Sequence, residues 1–420
     1  MIQKIHKSII EGEIAAPSSK SALQRLIASA FLAKGQSIIQ YKTLSDDALA
    51  GLNLIKSLGA LVEKDDKVIK ITGGFNNPKS ELLIGESGLG LRMFTPILAL
   101  HKDAFNITGK GSLLKRPVDF IVNTLKDFDI EIHSNQGKLP LKIKGPYKNT
   151  KVNVDGEFSS QLLTGLLMAL PLAETDSVLS VSNLKSKPYI DLTIEILNKF
   201  GIEVYHNNYE LFNIPANQEY KPINITTEGD WSGAAFLVVA GAIAGQIRIT
   251  DIDLDSAQGD KAIVDIVEKA GAKVDRFDNA LVVSKKELLS FEYDATDTPD
   301  LFPPLVALAV FCKGRSVIHG VHRLIHKESN RALTLKTEFE KIGAKIILDG
   351  DKMIVEGSKI TGSKVSSHHD HRIAMALAVA GLQADGEMII EDSEAVGKSW
   401  PDFFENLREI GGSLRFENYI

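Results

Sequence analysis

Hydroxyls, basic side chains and a few isolated acids recur at helix starts along this chain, and together they could handle a substrate with several negative charges. The stretch A-P-S-S-K-S-A-L-Q-R, residues 16–25, reads as a turn running into two turns of helix, with Ser18 or Ser19 as N-cap. Lys20 then lies in the first turn, where the helix dipole disfavours a cation, and Arg25 follows about one turn on. Hydroxyls, unsatisfied backbone N–H groups and two cations at one helix start suit an anion, phosphate above all. A capped surface helix with solvated charges fits that stretch equally well, so recurrence has to decide. Ser87, Gly88 and Arg92 open a second helix of the same kind, and Ser159, Ser160 and Gln161 a third. Asp230 and Ser232, then Asp300, then His371 and Arg372 open three more. A separate series begins with Arg116-Pro117, Ser186 to Tyr189, Lys327-Glu328 with Arg331, and Lys398. Carboxylates such as Asp300 and Glu328 weaken anion binding among cations unless they move protons. The chemistry indicated is therefore phosphate or carboxylate chemistry with proton transfer.

The elements that must position these residues form a repeat. A helical pattern ends in Gly or a turn residue and a short β-prone run follows, as in L-G-A-L-V, F-D-I-E-I, F-G-I-E-V, A-G-A-K-V, I-G-A-K-I and I-G-G-S-L. The turn residues stand at 59, 129, 201, 271, 343 and 411, at spacings of 68 to 72 residues. Gly after one helix is ordinary punctuation, but six copies at one period mark a repeat architecture. A second helix series keeps the period, beginning near Ser19, Ser87, Ser159, Asp230, Asp300 and His369. Its members are apolar on most sides, which predicts burial. The helices ending at the turn motif, such as 119–128 and 191–200, are amphipathic and predict an outer layer. The fold class expected is α/β, with βαβαββ units gathered three at a time around buried helices into two domains. The boundaries are placed at 15–228 and 229–420. One N-terminal strand, Ile2 to Ile9 within residues 1–14, is assigned to the second domain, so that the chain crosses twice and the cleft lies at a double-stranded hinge.

Composition bounds the partners. The chain has 420 residues and a formal net charge of −6, so no global basic field exists for a nucleic acid or an anionic membrane. Cys312 is the only cysteine, which excludes an internal disulfide and a cysteine-rich metal site. Residues 1–14 read as neither signal nor transit peptide, with Glu11 and Glu13 interrupting them, and the apolar run 234–243 is too short to span a bilayer. A cytoplasmic protein is expected. G-K-S at 397–399 has Asp392 where a P-loop needs glycine, and Gly88-Leu89-Gly90 is a lone GxG. His368, His369 and His371 complete no metal set at known spacing, so neither metal nor cofactor is expected. Tyr189 and Trp231 are candidate core aromatics, and core is the preferred reading for Trp231.

Taken in order, these motifs resemble the 5-enolpyruvylshikimate-3-phosphate synthases, over essentially the whole chain. The resemblance rests on S-K-S-x-x-x-R at 19–25, R-P at 116, S-S-Q at 159–161 and S-K-P-Y-I-D at 186–191. The second half adds P-D at 299–300, K-E-S-N-R at 327–331, D-H-R at 370–372 and G-K-S-W-P-D-F-F at 397–404. It implies transfer of the enolpyruvyl group of phosphoenolpyruvate to the 5-hydroxyl of shikimate 3-phosphate, a step of aromatic amino-acid biosynthesis and the target of glyphosate. By motif, Lys20, Ser21, Arg25, Ser159, Ser160, Gln161, Ser186 and Tyr189 would meet shikimate 3-phosphate, with Asp300 and Lys327 on the same side. Phosphoenolpyruvate would fall to Lys20, Gly88, Arg116, Gln161, Arg331, Arg372 and Lys398. Asp300 would accept the hydroxyl proton, while Glu328 with Lys20 would manage the proton at the methylene carbon. The resemblance also implies a monomer. Leu89 and Met93 stand where the family has threonine and proline, beside Gly88, and Arg323 stands where an asparagine is frequent.

Three other readings compete. The sister transferase acting on UDP-N-acetylglucosamine normally carries a cysteine before R-P, and residues 108–117 hold none. It also has Lys-Asn where this chain has Lys20-Ser21. RNA-end processing by a related repeat unit meets the net negative charge and the lack of a basic, aromatic-interleaved stripe. A non-catalytic relative is disfavoured because both Asp300 and Glu328 are present.

Overall fold

The computed structural model of the chain describes residues 1–157 and 160–417. Its contacts divide the chain into two compact units, Lys20–Thr227 and Met1–Ser19 with Glu228–Ile420. Mixed α/β in class, its described residues form six four-stranded sheets, three in each unit.

The unit 20–227 holds α1 (Lys20–Leu32), α2 (Asp46–Ser57), α3 (Gly88–Leu98), α4 (Asp119–Lys126), α5 (Ser160–Ala169) and α6 (Pro188–Lys199). The other unit holds α7 (Trp231–Ala244), α8 (Ile263–Lys269), α9 (Phe302–Ala309), α10 (Arg331–Lys341), α11 (His371–Gly381) and α12 (Phe403–Glu409). Odd-numbered members through α7, with α9 and α11, are the inner helices, and periodicity explains why. Every residue of α7, W-S-G-A-A-F-L-V-V-A-G-A-I-A, is buried, so it exposes no face. In α4 only Ile121, Val122 and Leu125 are buried, the stripe of an outer helix. The inner helices α7, α9 and α11 pack on one another, as α3 does on α1 and α5.

Each sheet repeats one plan. An edge strand runs parallel to its neighbour, and two antiparallel partners follow, as in Glu81–Leu83, Ala104–Thr108, Lys138–Lys144 and Glu131–Asn135. Strand K-L-P-L-K-I-K buries Leu139, Leu141 and Ile143 and exposes its lysines, the period-two pattern of a half-buried strand. The turn residues of the six repeats share one backbone conformation: Gly59, Asp129, Gly201, Gly271, Gly343 and Gly411 all have φ between 57° and 110°. That left-handed geometry ends the outer helix and turns the chain into the next strand, and it favours glycine at five of the six places.

Three expectations are corrected. The N-terminal segment is two strands, Ile2–His6 and Ile10–Ala15, and they enter different sheets. The first pairs with Met388–Glu391 and Ser413–Glu417, the second with Gly245–Thr250. Asp300 lies in a 3-10 turn, Pro299–Leu301, with α9 beginning only at Phe302. Lys398 closes a 3-10 turn, Ser393–Lys398, and α12 begins at Phe403, after Pro401.

Candidate active site

In the unit 20–227 the expected residues gather around the starts of the inner helices. Ser87 caps α3, its hydroxyl accepting the N–H of Gly90 at 3.1 Å and donating to Oε1 of Gln24 at 3.1 Å. Gln24 in turn donates to Asp47 of α2 at 3.4 Å, and Lys20 Nζ stands 3.5 Å from the same carboxylate. Beside Gly88 the backbone is bare by necessity. A Cβ there would lie 2.6 Å from Nη1 of Arg116 and 3.1 Å from Nη1 of Arg92. Arg92 donates to Oε1 of Gln161 at 2.8 Å, so Gly88, Arg92, Arg116 and Gln161 form one basic patch. Leu89 and Met93 are buried in α3 behind it.

Arg25 is 1% exposed and ties three helices together. It donates to Thr193 Oγ1 at 2.9 Å, to the Ser21 carbonyl at 2.8 Å, to Thr164 Oγ1 at 3.3 Å and to the Tyr189 carbonyl at 3.2 Å. Ser160 begins α5, and buried Ser186 precedes α6 with φ 57°, its carbonyl accepting the N–H of half-buried Tyr189. Ser159 lies outside the described residues.

The other unit brings Asp300, Lys327, Glu328, Arg331, Arg372 and Lys398 into one network. Asp300 accepts from Lys327 at 3.1 Å, from Arg331 Nη1 at 2.8 Å and from Arg372 Nη2 at 2.9 Å. Glu328 accepts from Arg331 Nη2 at 2.6 Å and stands 3.7 Å from Lys398. Fully buried Asp370 caps α11 through the Arg372 N–H and takes Arg331 Nε at 2.8 Å and Nη2 at 3.1 Å. Burial alone would push the Asp300 carboxyl up, but Arg372, Lys327 and Arg331 outweigh it and hold it well below the ordinary value. Burial lowers Lys327, and the Asp300 charge opposes that. Arg331 is held charged by Asp370, Glu328 and Asp300 against its own burial.

Such an arrangement can bind an oxyanion on guanidinium groups while keeping the Asp300 carboxylate ionised beside it to accept a proton. Arg92, expected at its helix start, joins these networks, and so do Asp47 and Asp370, to which the sequence assigns no role. Asp47 follows Asp46 at a helix start, where acids are commonplace, so only its burial marks it. The clustered histidines go separate ways. His368 bonds Glu338 at 2.8 Å, His371 is buried beside Asp370, and His369 is exposed with its donor atom within 4.8 Å of carboxylate oxygens of Asp392 and Glu394. Trp231 is fully buried core, with Nε1 donating to the Asp253 carbonyl at 2.8 Å.

Among solved structures, EPSP synthase from Acinetobacter baumannii superposes with a TM-score of 0.84 at 25% identity, covering 99% of this chain and all of that one. The enolpyruvyl transferase NikO from Streptomyces tendae superposes at 0.81 with 16% identity, over 99% of this chain and 98% of its own. The fold is that of the enolpyruvyl transferases. Residues 5–407 match the family model described as EPSP synthase (3-phosphoshikimate 1-carboxyvinyltransferase). Proteins named 3-phosphoshikimate 1-carboxyvinyltransferase are 38% identical in Clostridium botulinum (strain Alaska E43 / Type E3), over 98% of both chains, and 36% identical in Methanococcus maripaludis, over 96% of this chain and 97% of that one. The chain belongs to the EPSP synthase family.

Proposed function

We infer that this chain is a 3-phosphoshikimate 1-carboxyvinyltransferase of aromatic amino-acid biosynthesis. It moves the enolpyruvyl group of phosphoenolpyruvate onto the 5-hydroxyl of shikimate 3-phosphate and releases phosphate. The observation that carries the reading is the network of four cations around Asp300 and Glu328, in a chain whose family is established. Addition requires a base at the attacking hydroxyl and an acid at the methylene carbon, and elimination reverses the proton at that carbon as phosphate leaves. Asp300 takes the hydroxyl proton. Glu328 delivers a proton to the methylene carbon and recovers it, and Lys20 neutralises substrate charge and shares in that transfer. Arg331, Arg372 and Lys398, with Gly88, Arg116 and Gln161, receive phosphoenolpyruvate. Ser21, Arg25, Ser159, Ser160, Gln161, Ser186, Tyr189 and Lys327 serve shikimate 3-phosphate. We propose that each three-repeat unit works as one domain, with the chain passing between them at 19–20 and 227–228. No helix among the described residues is long and apolar enough to cross a membrane. A cytoplasmic monomer working without metal or cofactor completes the reading.

The test is phosphate release from phosphoenolpyruvate, with shikimate 3-phosphate and UDP-N-acetylglucosamine as parallel acceptors and Asp300→Asn and Lys20→Ala as controls. Release with shikimate 3-phosphate alone, lost in both variants, is the expected result. Release with neither acceptor, or with the nucleotide sugar alone, overturns the reading.

A further inference from the structure

Asp260 lies in the 3-10 turn Gly259–Ala262 before α8 and is 2% exposed. Its Oδ2 accepts the hydroxyl of Ser232, on the first turn of α7. Its Oδ1 is buried and has no hydrogen-bond partner among the described residues. A buried carboxylate with one oxygen unsatisfied is an expensive anion, and the single hydroxyl bond to its other oxygen does not offset that cost. What surrounds it does. Ser232 offers its hydroxyl to Asp260 and its carbonyl to Nη1 of Arg372 at 3.4 Å, while Nη2 of the same guanidinium holds Asp300 at 2.9 Å. Asp260, Arg372 and Asp300 are thus one electrostatic group drawn from the turn before α8, α11 and the turn before α9, with Ser232 of α7 between them. Asp230, the N-cap of α7, also acts on Asp260, Tyr293 has its phenol raised by burial and then by Asp260, and Lys327, Arg331 and Glu328 act on the Asp300 side.

We propose that Asp260 is a positioning residue for the enolpyruvyl transfer reaction, whose charge sets how far Arg372 is available to phosphoenolpyruvate and how strongly Asp300 draws a proton. The inference rests on the roles given above to Arg372 and Asp300. Ionised, Asp260 competes for the guanidinium field and leaves Asp300 more basic. Protonated, it frees Arg372 for the substrate anion and weakens Asp300 as a base. Burial and then Asp300 push the Asp260 carboxyl up to about 6, against Arg372 and the Ser232 hydroxyl, whereas the three cations around Asp300 hold that group low. A proton entering the pair from acidic solution settles on Asp260 and leaves the base ionised.

The experiment compares Asp260→Asn with the natural chain, measuring kcat and KM for phosphoenolpyruvate separately between about pH 5 and about pH 8. Asn imitates the protonated acid, so the two proteins converge at the acid end. At the alkaline end the variant should show both KM and kcat lower by roughly 5- to 10-fold, the change expected from removing one partly screened charge. The ratio of variant to natural chain should turn over near pH 6. Titration of the substrate phosphate cancels in that ratio. A ratio constant across pH reduces Asp260 to a structural part and overturns the proposal. Ser232→Ala supplies a second reading that does not need the Asn variant to fold: losing the hydroxyl should move the midpoint of the pH profile upward, and an unmoved midpoint counts equally against the proposal. If the natural chain releases no phosphate with shikimate 3-phosphate, the reaction assignment has failed instead. Binding of phosphoenolpyruvate by calorimetry over the same pH range then tests the Asp260–Arg372 linkage alone, a pH-independent affinity ratio overturning it.

Discussion

Replacing Asp300 by Asn keeps the side-chain shape and removes the charge shared by Lys327, Arg331 and Arg372. Two effects of opposite sign follow. The hydroxyl of the acceptor loses its base, and general-base catalysis is typically worth about 10²- to 10⁴-fold, so kcat should fall by that order. The three cations meanwhile lose a counter-charge at 2.8 to 3.1 Å. At an effective dielectric of about 20, a unit charge roughly 6 Å from a bound anion is worth about 3 kcal/mol, and removing this repulsion favours phosphoenolpyruvate. Solvent and salt reduce that to about 1 kcal/mol, or ~5-fold in affinity. The expected signature is a collapsed kcat beside a tighter dissociation constant for phosphoenolpyruvate. Stability should fall by about 3 kcal/mol, because removing one partner leaves buried cations less compensated. Steady-state phosphate release gives kcat, calorimetric titration gives affinity, and urea unfolding gives stability. An Asn variant that turns over within tenfold of the natural chain, or binds phosphoenolpyruvate more weakly, would refute the account of Asp300 as a base held among donor-binding cations.

Gly88→Ala places a Cβ against the Arg116 and Arg92 guanidinium ends, which can swing aside. The fold should stand while KM for phosphoenolpyruvate rises about tenfold with kcat changed little, since positioning of the ligand is disturbed more than chemistry; steady-state kinetics check this. Arg25→Lys forfeits the fork that joins Thr164, Thr193 and the Tyr189 carbonyl, and charged hydrogen bonds are worth about 1.5–3 kcal/mol each, so urea unfolding should report a loss of about 3 kcal/mol. Glu338 is fully buried on α10. Burial works to raise its carboxyl, but His368, Lys341 and the Ser366 N–H together hold it below its ordinary 4.5. A depressed carboxyl contributes stability that is fully present above its unfolded value and lost as pH falls through the folded one. Glu338→Gln should therefore cost about 1–3 kcal/mol at neutral pH, with the difference from the natural chain closing in thermal scans as pH falls below that ordinary 4.5.

Much of the architecture is legible because it repeats. Six left-handed turn residues at one period locate six outer helices, and apolar runs such as 234–243 locate the inner ones. The cationic helix starts were legible for a related reason: a Lys or Arg where the dipole is positive asks for an explanation that an anion supplies. Other features have no such local contradiction. Asp47 looks like any acid opening a helix, and it becomes a partner of Lys20 only through the packing of α2 against α1. Asp260 stands in an ordinary polar turn, and its meaning comes from Ser232 and Arg372, neighbours distant in sequence. The N-terminal segment misled because Ile2, Ile5, Ile9 and Ile10 read as one apolar-rich stretch. Its middle, K-S-I between His6 and Ile10, is the bridge that carries the chain from one sheet to another.

The place in the chain from which each sheet draws its strands has a consequence for biosynthesis. Every strand of the unit 20–227 is encoded inside it, Asn224–Thr226 completing its first sheet in parallel with Gln36–Gln40. The other unit borrows Ile2–His6 and Ile10–Ala15 from the start of the chain, and its sixth sheet places Ile2–His6 between Met388–Glu391 and Ser413–Glu417. On a ribosome the middle of the message can therefore fold while the first residues wait. Those residues find their last neighbour only when residue 417 has left the exit tunnel, a closure across nearly the full length of the chain. The order in which the protein is made differs from the order in which it can be finished.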